Sequence, residues 1–179
     1  MEKAGREGIN LLKQSIEEHA RSGRKYDAVV SFQVLEHVAT PASFIRSSLE
    51  CLHPGGLLVL AVPAQDGFAG AALNNTLNMP PHHVTHWPES TLRNLAPMFG
   101  MKVLAVEFEP IASYHLPWAR KTIWESRLRK LLRMPRRLQD CTFAGMLVSK
   151  VSSLMARLLP CNVAHLNGHT IVAIYQKSA

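Results

Sequence analysis

The sequence has few cysteines and no long hydrophobic run, and each shortage excludes a class of protein. The three cysteines lie far apart without a Cys-X-X-Cys pair, so neither a disulfide framework nor a zinc site is predicted. No segment approaches the roughly 20 apolar residues of a membrane span, and the first residues lack the apolar core of a signal peptide. We therefore expect a cytoplasmic protein.

Acidic residues are also scarce, and their scarcity is local. The chain has 20 Lys and Arg against 13 Asp and Glu, a net charge of +7. Residues 120–137 carry eight of these cations against the single acid Glu125. A charge confined to one helical segment without a recognisable nucleic-acid module does not predict nucleic-acid binding. The sequence indicates a neutral domain with one basic attachment.

Short apolar runs alternate with helical patterns along the rest of the chain. The predicted strands are residues 9–15, 26–32, 57–62, 101–109 and 168–177. One helix is predicted from Thr40-Pro41 to the Pro-Gly-Gly at 54–56, and another from Pro88 to Gly100. Alternation of this kind predicts a largely parallel α/β sheet, in which ligands bind beyond the carboxyl ends of the strands.

Three stretches together carry a family resemblance. Residues 26–63, YDAVVSFQVLEHVATPASFIRSSLECLHPGGLLVLAVP, resemble the fourth-to-fifth-strand segment of class I S-adenosylmethionine-dependent methyltransferases, especially the ubiquinone-type O-methyltransferase branch. GHTIVAIYQK resembles the last, antiparallel strand of that fold, and PPHHVTHW a substrate-side loop of the same branch. The resemblance implies S-adenosylmethionine as cofactor and methyl transfer to a small molecule, with a hydroxyl as the favoured acceptor.

The resemblance also predicts the architecture. The family sheet has the strand order 3-2-1-4-5-7-6, and this chain resembles strands three to seven. Residues 1–179 are thus expected to form a single partial Rossmann-like domain, with residues 110–167 as a basic helical insert or cap before the last strand. In this arrangement the strand at 9–15 would lack a neighbour, and the strand at 26–32 would be an open edge.

Two cofactor-binding features of the family have no counterpart in the sequence. The glycine-rich turn after the first strand and the ribose-binding acid after the second are both absent. We therefore expect a chain that is truncated at its N-terminus and binds S-adenosylmethionine weakly by itself. Alternatives are a completing chain or dimer, or a non-catalytic partner subunit that has lost the cofactor site.

The resemblance assigns four residues to the cofactor. Phe32 and Gln33, just past a strand, would line the pocket near the adenine and methionine groups. The alternative for this pair is ordinary packing at the end of a strand. Ser15 and Ile16 fall where the family contacts adenine, although that contact depends on strands without a counterpart here.

Glu36 and His37 follow the same strand at the expected mouth of a cleft. In ubiquinone-type enzymes an acid three residues before such a pair joins it in holding a divalent cation. Gln33 takes the place of that acid here, so no metal site is predicted. The pair is expected to shape the cleft or brace the next helix, and the alternative is a metal ligand or a general base, with His37 as the candidate base.

The loop NMPPHHVTHW carries three histidines on the expected substrate side. His83 is a candidate general base for deprotonating a hydroxyl acceptor, and a structural role for it is equally favoured. His82, His86 and Trp87 are predicted to lie on the same side with mainly structural roles. Adjacent histidines on a Pro-Pro loop are not expected to share one metal ion.

Two apolar patterns of helical period lie in the insert. The first consists of Trp124, Leu128, Leu131 and Leu132, and the second of Leu147, Val151, Leu154, Met155 and Leu158. Both are predicted to pack as a helical lid whose basic face is solvated. The alternative is peripheral contact of the basic face with an anionic membrane or an anionic substrate.

Overall fold

The computed structural model describes residues 10–135, 137–163 and 166–178. The strands are β1 (Tyr26–Phe32), β2 (Leu52–Pro63), β3 (Met101–Phe108) and β4 (Thr170–Lys177). The α-helices are α1 (Ile16–Ala20), α2 (Pro41–Glu50), α3 (Phe68–Ala71), α4 (Glu89–Phe99), α5 (Leu116–Leu131) and α6 (Phe143–Leu158). Short 3-10 turns occupy Leu35–His37, Thr76–Asn78 and Ser113–His115.

The four strands form one mixed sheet in the order β1-β2-β4-β3. β1 and β2 are parallel, whereas β4 runs antiparallel to both β2 and β3. This arrangement corresponds to the 4-5-7-6 part of the expected order, and the predicted α/β class is confirmed.

The prediction of a strand at residues 9–15 is wrong for residues 10–15, and residue 9 lies outside the described residues. Residues 10–15 form an exposed coil that leads into α1. Their backbone joins no strand of the sheet, in which β1 pairs only with β2 among the described residues. Backbone groups without a strand partner remain hydrated instead, so an apolar run alone does not make a strand.

β1 is less buried than its apolar sequence predicts. Among its seven residues only Ser31 is buried, and Val30 and Phe32 are 56% and 62% exposed. β1 is an edge strand that pairs with β2 on one side, and no described strand covers the other side. The open edge expected for this strand is therefore observed among the described residues.

β2 is longer than predicted because it begins at Leu52 and includes the Pro-Gly-Gly segment. Gly55 has a φ of 76°, which favours glycine, and a Cβ on Gly56 would lie 3.0 Å from the His53 carbonyl oxygen. Helix α2 has already ended at Glu50, so these residues form the irregular start of the strand.

The main core lies between the sheet and the helices α2 and α4. Its members include Leu35, Ile45, Leu58, Leu60, Leu92, Ile171 and Tyr175, all almost fully buried. The Tyr175 hydroxyl donates a 2.7 Å hydrogen bond to the Leu92 carbonyl, which ties β4 to α4. This core fixes the carboxyl ends of β1 and β2, where the candidate site lies.

The insert packs beside the sheet through a smaller cluster. Phe68 of α3 meets Trp118 of α5 edge to face at 4.9 Å, with Ala119 buried beneath them. A buried ion pair, Arg129 to Asp140 at 2.8 Å, joins α5 to the segment before α6. The described part of residues 110–167, called the cap below, thus packs against the sheet domain.

The packing predicted for the two apolar stripes of the insert is wrong at most positions. Leu131 and Leu132 are 77% and 57% exposed, and Leu147, Val151, Leu154 and Leu158 on α6 are exposed as well. The buried positions of α6 are Gly145, Val148 and Ser152 instead. No helix within the described residues is long and apolar enough to cross a membrane.

Candidate active site

The candidate site is built on the tight turn that follows β1. Gln33 has a φ of 52°, so the chain turns sharply there, while its N–H still donates to the Ala61 carbonyl of β2. The Leu35–His37 turn follows, and the Glu36 carbonyl accepts hydrogen bonds from the N–H groups of Val84 and Thr85. These bonds dock the histidine loop onto the end of β1.

Glu36 is a buried carboxylic acid without a conventional partner. The residue is 1% exposed, and no other described residue donates a hydrogen bond to either carboxyl oxygen. Burial raises the pKa of Glu36, and the residue's own backbone N–H and the nearby His37 oppose that rise in part. A carboxylate in this position requires either a proton or a positive charge close by.

His37 and His83 present the same ring nitrogen to the site. His37 Nδ1 lies 2.5 Å from the His82 carbonyl oxygen, and His83 Nδ1 lies 2.9 Å from the Asn78 side-chain oxygen. Both contacts are with acceptors, so in each neutral imidazole Nδ1 carries the proton and Nε2 keeps a free lone pair. The Asn78 amide is itself oriented by donation to Gln65.

The three groups form one cluster. The His37 Nε2 lies 3.8 Å from the Glu36 carboxylate, and the His37 and His83 rings meet edge to face at 4.8 Å. One ligand atom from each of Glu36, His37 and His83 lies within 4.8 Å of the other two. Burial and the neighbouring His37 lower the pKa of His83, which favours its neutral, basic form.

This donor set fits a divalent cation. A carboxylate and two imidazole nitrogens are ligands for ions such as Mn²⁺, Fe²⁺ or Zn²⁺, and each Nδ1–H is held by an oxygen, as is usual for metal-binding histidines. The sequence predicted no metal site because Gln33 replaces an acid. The third candidate ligand is His83, which lies almost 50 residues further along the chain.

The other predicted substrate-side residues have structural contacts. His86 Nε2 donates to the Asn78 carbonyl at 2.9 Å, and His82 contributes its carbonyl to His37. Trp87 is 7% exposed within the main core, and its indole N–H donates to Thr85. Of the three loop histidines, His83 is the one that reaches the cluster with Glu36.

A cavity of about 240 Å³ adjoins His83. Its wall includes Asn78, Trp118, His115 and His169, so the cap and the start of β4 both contribute. The His115 and His169 rings lie 5.2 Å apart, and burial lowers the pKa of His169. Sequence reasoning missed these two histidines, because no motif links the insert and the last strand to the histidine loop.

The four predicted cofactor residues do not lie together. Phe32 and Gln33 lie at the carboxyl end of β1, and the Gln33 amide donates to the Thr170 hydroxyl at 3.4 Å. Ser15 caps α1 in a reciprocal pair with Glu18, and Ser15 and Ile16 line a depression beside Tyr26, at the other end of β1. The seven residues of β1 span roughly 20 Å, so the Phe32–Gln33 pair and the Ser15–Ile16 pair do not line the same ligand pocket.

Comparison with known proteins bears on the family of the chain and on its fold. The family model described as a methyltransferase domain matches residues 3–106. The ubiquinone biosynthesis O-methyltransferase of Methylobacterium sp. (strain 4-46) is 44% identical over 53 residues, which is 30% of this chain and 21% of that protein. The mitochondrial ubiquinone biosynthesis O-methyltransferase of Arabidopsis thaliana is 45% identical over 53 residues, 30% of this chain and 16% of that protein.

Solved structures show the same fold. A SAM-dependent methyltransferase from Archaeoglobus fulgidus superposes with a TM-score of 0.54 at 15% identity, covering 94% of this chain and 68% of that one. The chain belongs to the methyltransferase-domain family, as its resemblance to methyltransferases implied. It spans about a fifth of the length of the curated relatives it matches.

Proposed function

We propose that this chain forms the acceptor side of an S-adenosylmethionine-dependent methyltransferase that methylates a hydroxyl group of a small molecule. The cluster of Glu36, His37 and His83 beside a cavity is the observation that carries the proposal. The cluster lies at the carboxyl end of β1, where open α/β sheets bind their ligands. The O-methyltransferases among its relatives support the choice of a hydroxyl acceptor.

In this proposal S-adenosylmethionine supplies an electrophilic methyl group on a sulfonium. Phe32 and Gln33 would form the cofactor wall, and the His83 side of the cavity would hold the acceptor. His83 Nε2 takes the hydroxyl proton as the oxygen–carbon bond forms and the carbon–sulfur bond breaks. Asn78 holds the other ring nitrogen and so keeps Nε2 directed as a base. Positioning supplies most of the rate, because in-line methyl transfer needs few catalytic groups.

A second arrangement uses the same residues differently. Glu36, His37 and His83 would hold a divalent cation, whose charge would lower the pKa of a hydroxyl near it. The buried, unpartnered carboxyl group of Glu36 favours this candidate. His83 Nε2 then acts as a ligand, so the two arrangements predict opposite responses to chelation.

The test is methyl transfer by the full-length natural protein, with labelled S-adenosylmethionine and a panel of phenols, catechols and aliphatic alcohols. If His83 is the base, His83→Gln lowers kcat roughly a hundredfold or more without changing S-adenosylhomocysteine affinity, and chelation has no effect. If a cation is held, chelation abolishes turnover and added Mn²⁺ or Zn²⁺ restores it. His53→Gln, on the exposed start of β2, is the matched control. Unchanged turnover in His83→Gln would contradict both arrangements.

A non-catalytic partner subunit is the competing function. The exposed edge of β1, with Val30 and Phe32 outward, favours pairing with another chain. Titration of S-adenosylhomocysteine decides between the two functions, because a partner subunit that has lost the site binds none in any form. Micromolar binding by the full-length protein would exclude this alternative.

A further inference from the structure

Helix α6 is amphipathic, but its apolar side faces away from the protein. Six of its large apolar side chains are exposed: Phe143 79%, Met146 51%, Leu147 52%, Val151 39%, Leu154 56% and Leu158 70%. The side that faces the rest of the protein buries Gly145, Val148 and Ser152. A surface helix of a globular protein normally shows the opposite orientation, so the outer face requires a partner.

Helical spacing makes the outer face continuous. Phe143, Leu147, Leu154 and Leu158 follow one another at intervals of four or seven residues and therefore share one side of the helix. Lys150 and Arg157 lie beside this row, and both are exposed. The sequence of α6 contains no acidic residue.

The charge of the insert shows what kind of partner fits. From residue 110 to residue 163 the sequence has two acids, Glu125 and Asp140. Both are buried beside Arg129, at 3.6 and 2.8 Å, so neither contributes charge to the surface. The exposed charged residues described in this segment are all cations: Arg127, Lys130, Arg133, Arg137, Lys150 and Arg157.

We propose that the outer face of α6 binds the surface of an anionic lipid bilayer. A 16-residue helix is about 24 Å long and lies in the plane of the interface, with its apolar row in the acyl boundary and its cations at the headgroups. Each cation near an anionic surface adds to the affinity, and salt weakens that part. A second copy of the chain carries the same positive charge, so like charges would oppose its docking here.

The experiment is vesicle flotation with the full-length natural protein. Vesicles contain phosphatidylcholine alone or phosphatidylcholine mixed with phosphatidylglycerol, at low and high salt. The wild type floats with anionic vesicles at low salt, and the bound fraction falls with salt. Leu147→Ser combined with Leu154→Ser lowers the affinity roughly a hundredfold, because each exposed leucine contributes about tenfold on entering an apolar phase. Lys150→Ala lowers it roughly fivefold at low salt.

Met98→Ser is the matched control, because Met98 is 72% exposed on α4, outside the insert. Circular dichroism of each variant confirms that the helices remain folded. Three results would overturn the proposal: equal flotation with neutral and anionic vesicles, flotation that the double variant does not reduce, or no flotation at all. If the protein does not float, its oligomeric state is measured by sedimentation velocity. A wild-type dimer that is absent in the double variant would assign the face to a second copy of the chain.

Discussion

Replacing Glu36 by glutamine separates the two arrangements of the active site. The wild-type carboxyl group is 1% exposed and receives no hydrogen bond from another described residue. An amide at this position is neutral, and its NH₂ group can donate to the free Nε2 of His37, now 3.8 Å from the carboxylate. In metal-free buffer near neutral pH we therefore expect Glu36→Gln to stabilise the protein.

The magnitude follows from the cost of an unsatisfied buried group. That cost is about 1–3 kcal/mol and larger for a charged group, so the free energy of unfolding should rise by at least about 1 kcal/mol. For a domain of this size each kcal/mol shifts Tm by about 2–4 °C. Thermal unfolding in the presence of a chelator measures the shift. Glu107→Gln, an exposed acid of β3, is the control and should leave Tm within about 1 °C.

The same pair of proteins is then unfolded with added Mn²⁺ or Zn²⁺. If the cluster holds a cation, the wild type gains about 2.7 kcal/mol at a cation concentration a hundredfold above Kd, and Glu36→Gln gains much less. If His83 acts as a free base, neither protein responds. A metal-free Glu36→Gln protein that is less stable than the wild type would refute the reasoning, because the carboxylate would then have a favourable partner.

Three further predictions concern the fold and its edges. Tyr175→Phe removes the hydrogen bond to the Leu92 carbonyl and should cost about 1 kcal/mol in urea unfolding; no loss would mean that this buried bond is replaced. The hydroxyl of Thr142 and the guanidinium of Arg129 lower the pKa of Asp140 from 3.8 to about 2, so Asp140 stabilises the fold above pH 3.8 and this contribution is lost as pH falls towards 2. Asp140→Asn should therefore lower Tm at neutral pH and differ less from the wild type near pH 2, and a constant difference would contradict the pairing. Phe32→Lys should reduce concentration-dependent association through the edge of β1 in sedimentation velocity, and an unchanged sedimentation coefficient would show that this edge is not used.

Local patterns in the sequence predicted most of the sheet domain. The apolar runs of β2, β3 and β4 predicted those strands, and proline and glycine predicted the limits of α2 and α4 to within a few residues. These signals are local, because proline at a helix start and glycine at a helix end act on the backbone beside them. The strand at 9–15 failed because strand formation also needs a neighbouring strand, which a local pattern does not show.

Local sequence patterns also could not predict how the site is assembled, because contacts between distant segments bring its residues together. His83 meets Glu36 because the backbone of Val84 and Thr85 docks onto the turn after β1, a contact between segments almost 50 residues apart. His115 and His169 join the cavity through the cap and the last strand. The sequence singled out the pair Glu36 and His37 and, separately, His83, and the tertiary contacts bring the three together.

The cap shows a further limit of periodicity. The spacing on α6 predicts an apolar stripe, and the side of the helix that faces the protein depends on shape as well. A Cβ on Gly145 would lie 2.5 Å from the Asp140 carboxyl group, and Ser152 is fully buried, so the small-residue side packs inward and the large apolar residues remain outside. The hydrophobic period is the same whether the apolar side of α6 faces the protein or faces outward, so periodicity alone does not predict the orientation.

One segment thus connects the proposed bilayer face to the acceptor cavity. α6 packs on α5, and the first turn of α5 places Trp118 in the cavity wall opposite His83. The segment before α6 is also held to the sheet domain, because Asn74 bonds the backbone of Leu138 and Asp140. A cap fixed at both points keeps a bilayer-bound face at a constant distance from the acceptor site. If both proposals hold, an apolar acceptor dissolved in the bilayer reaches His83 along the cap, and vesicles that contain the acceptor should be methylated faster by the wild type than by Leu147→Ser combined with Leu154→Ser.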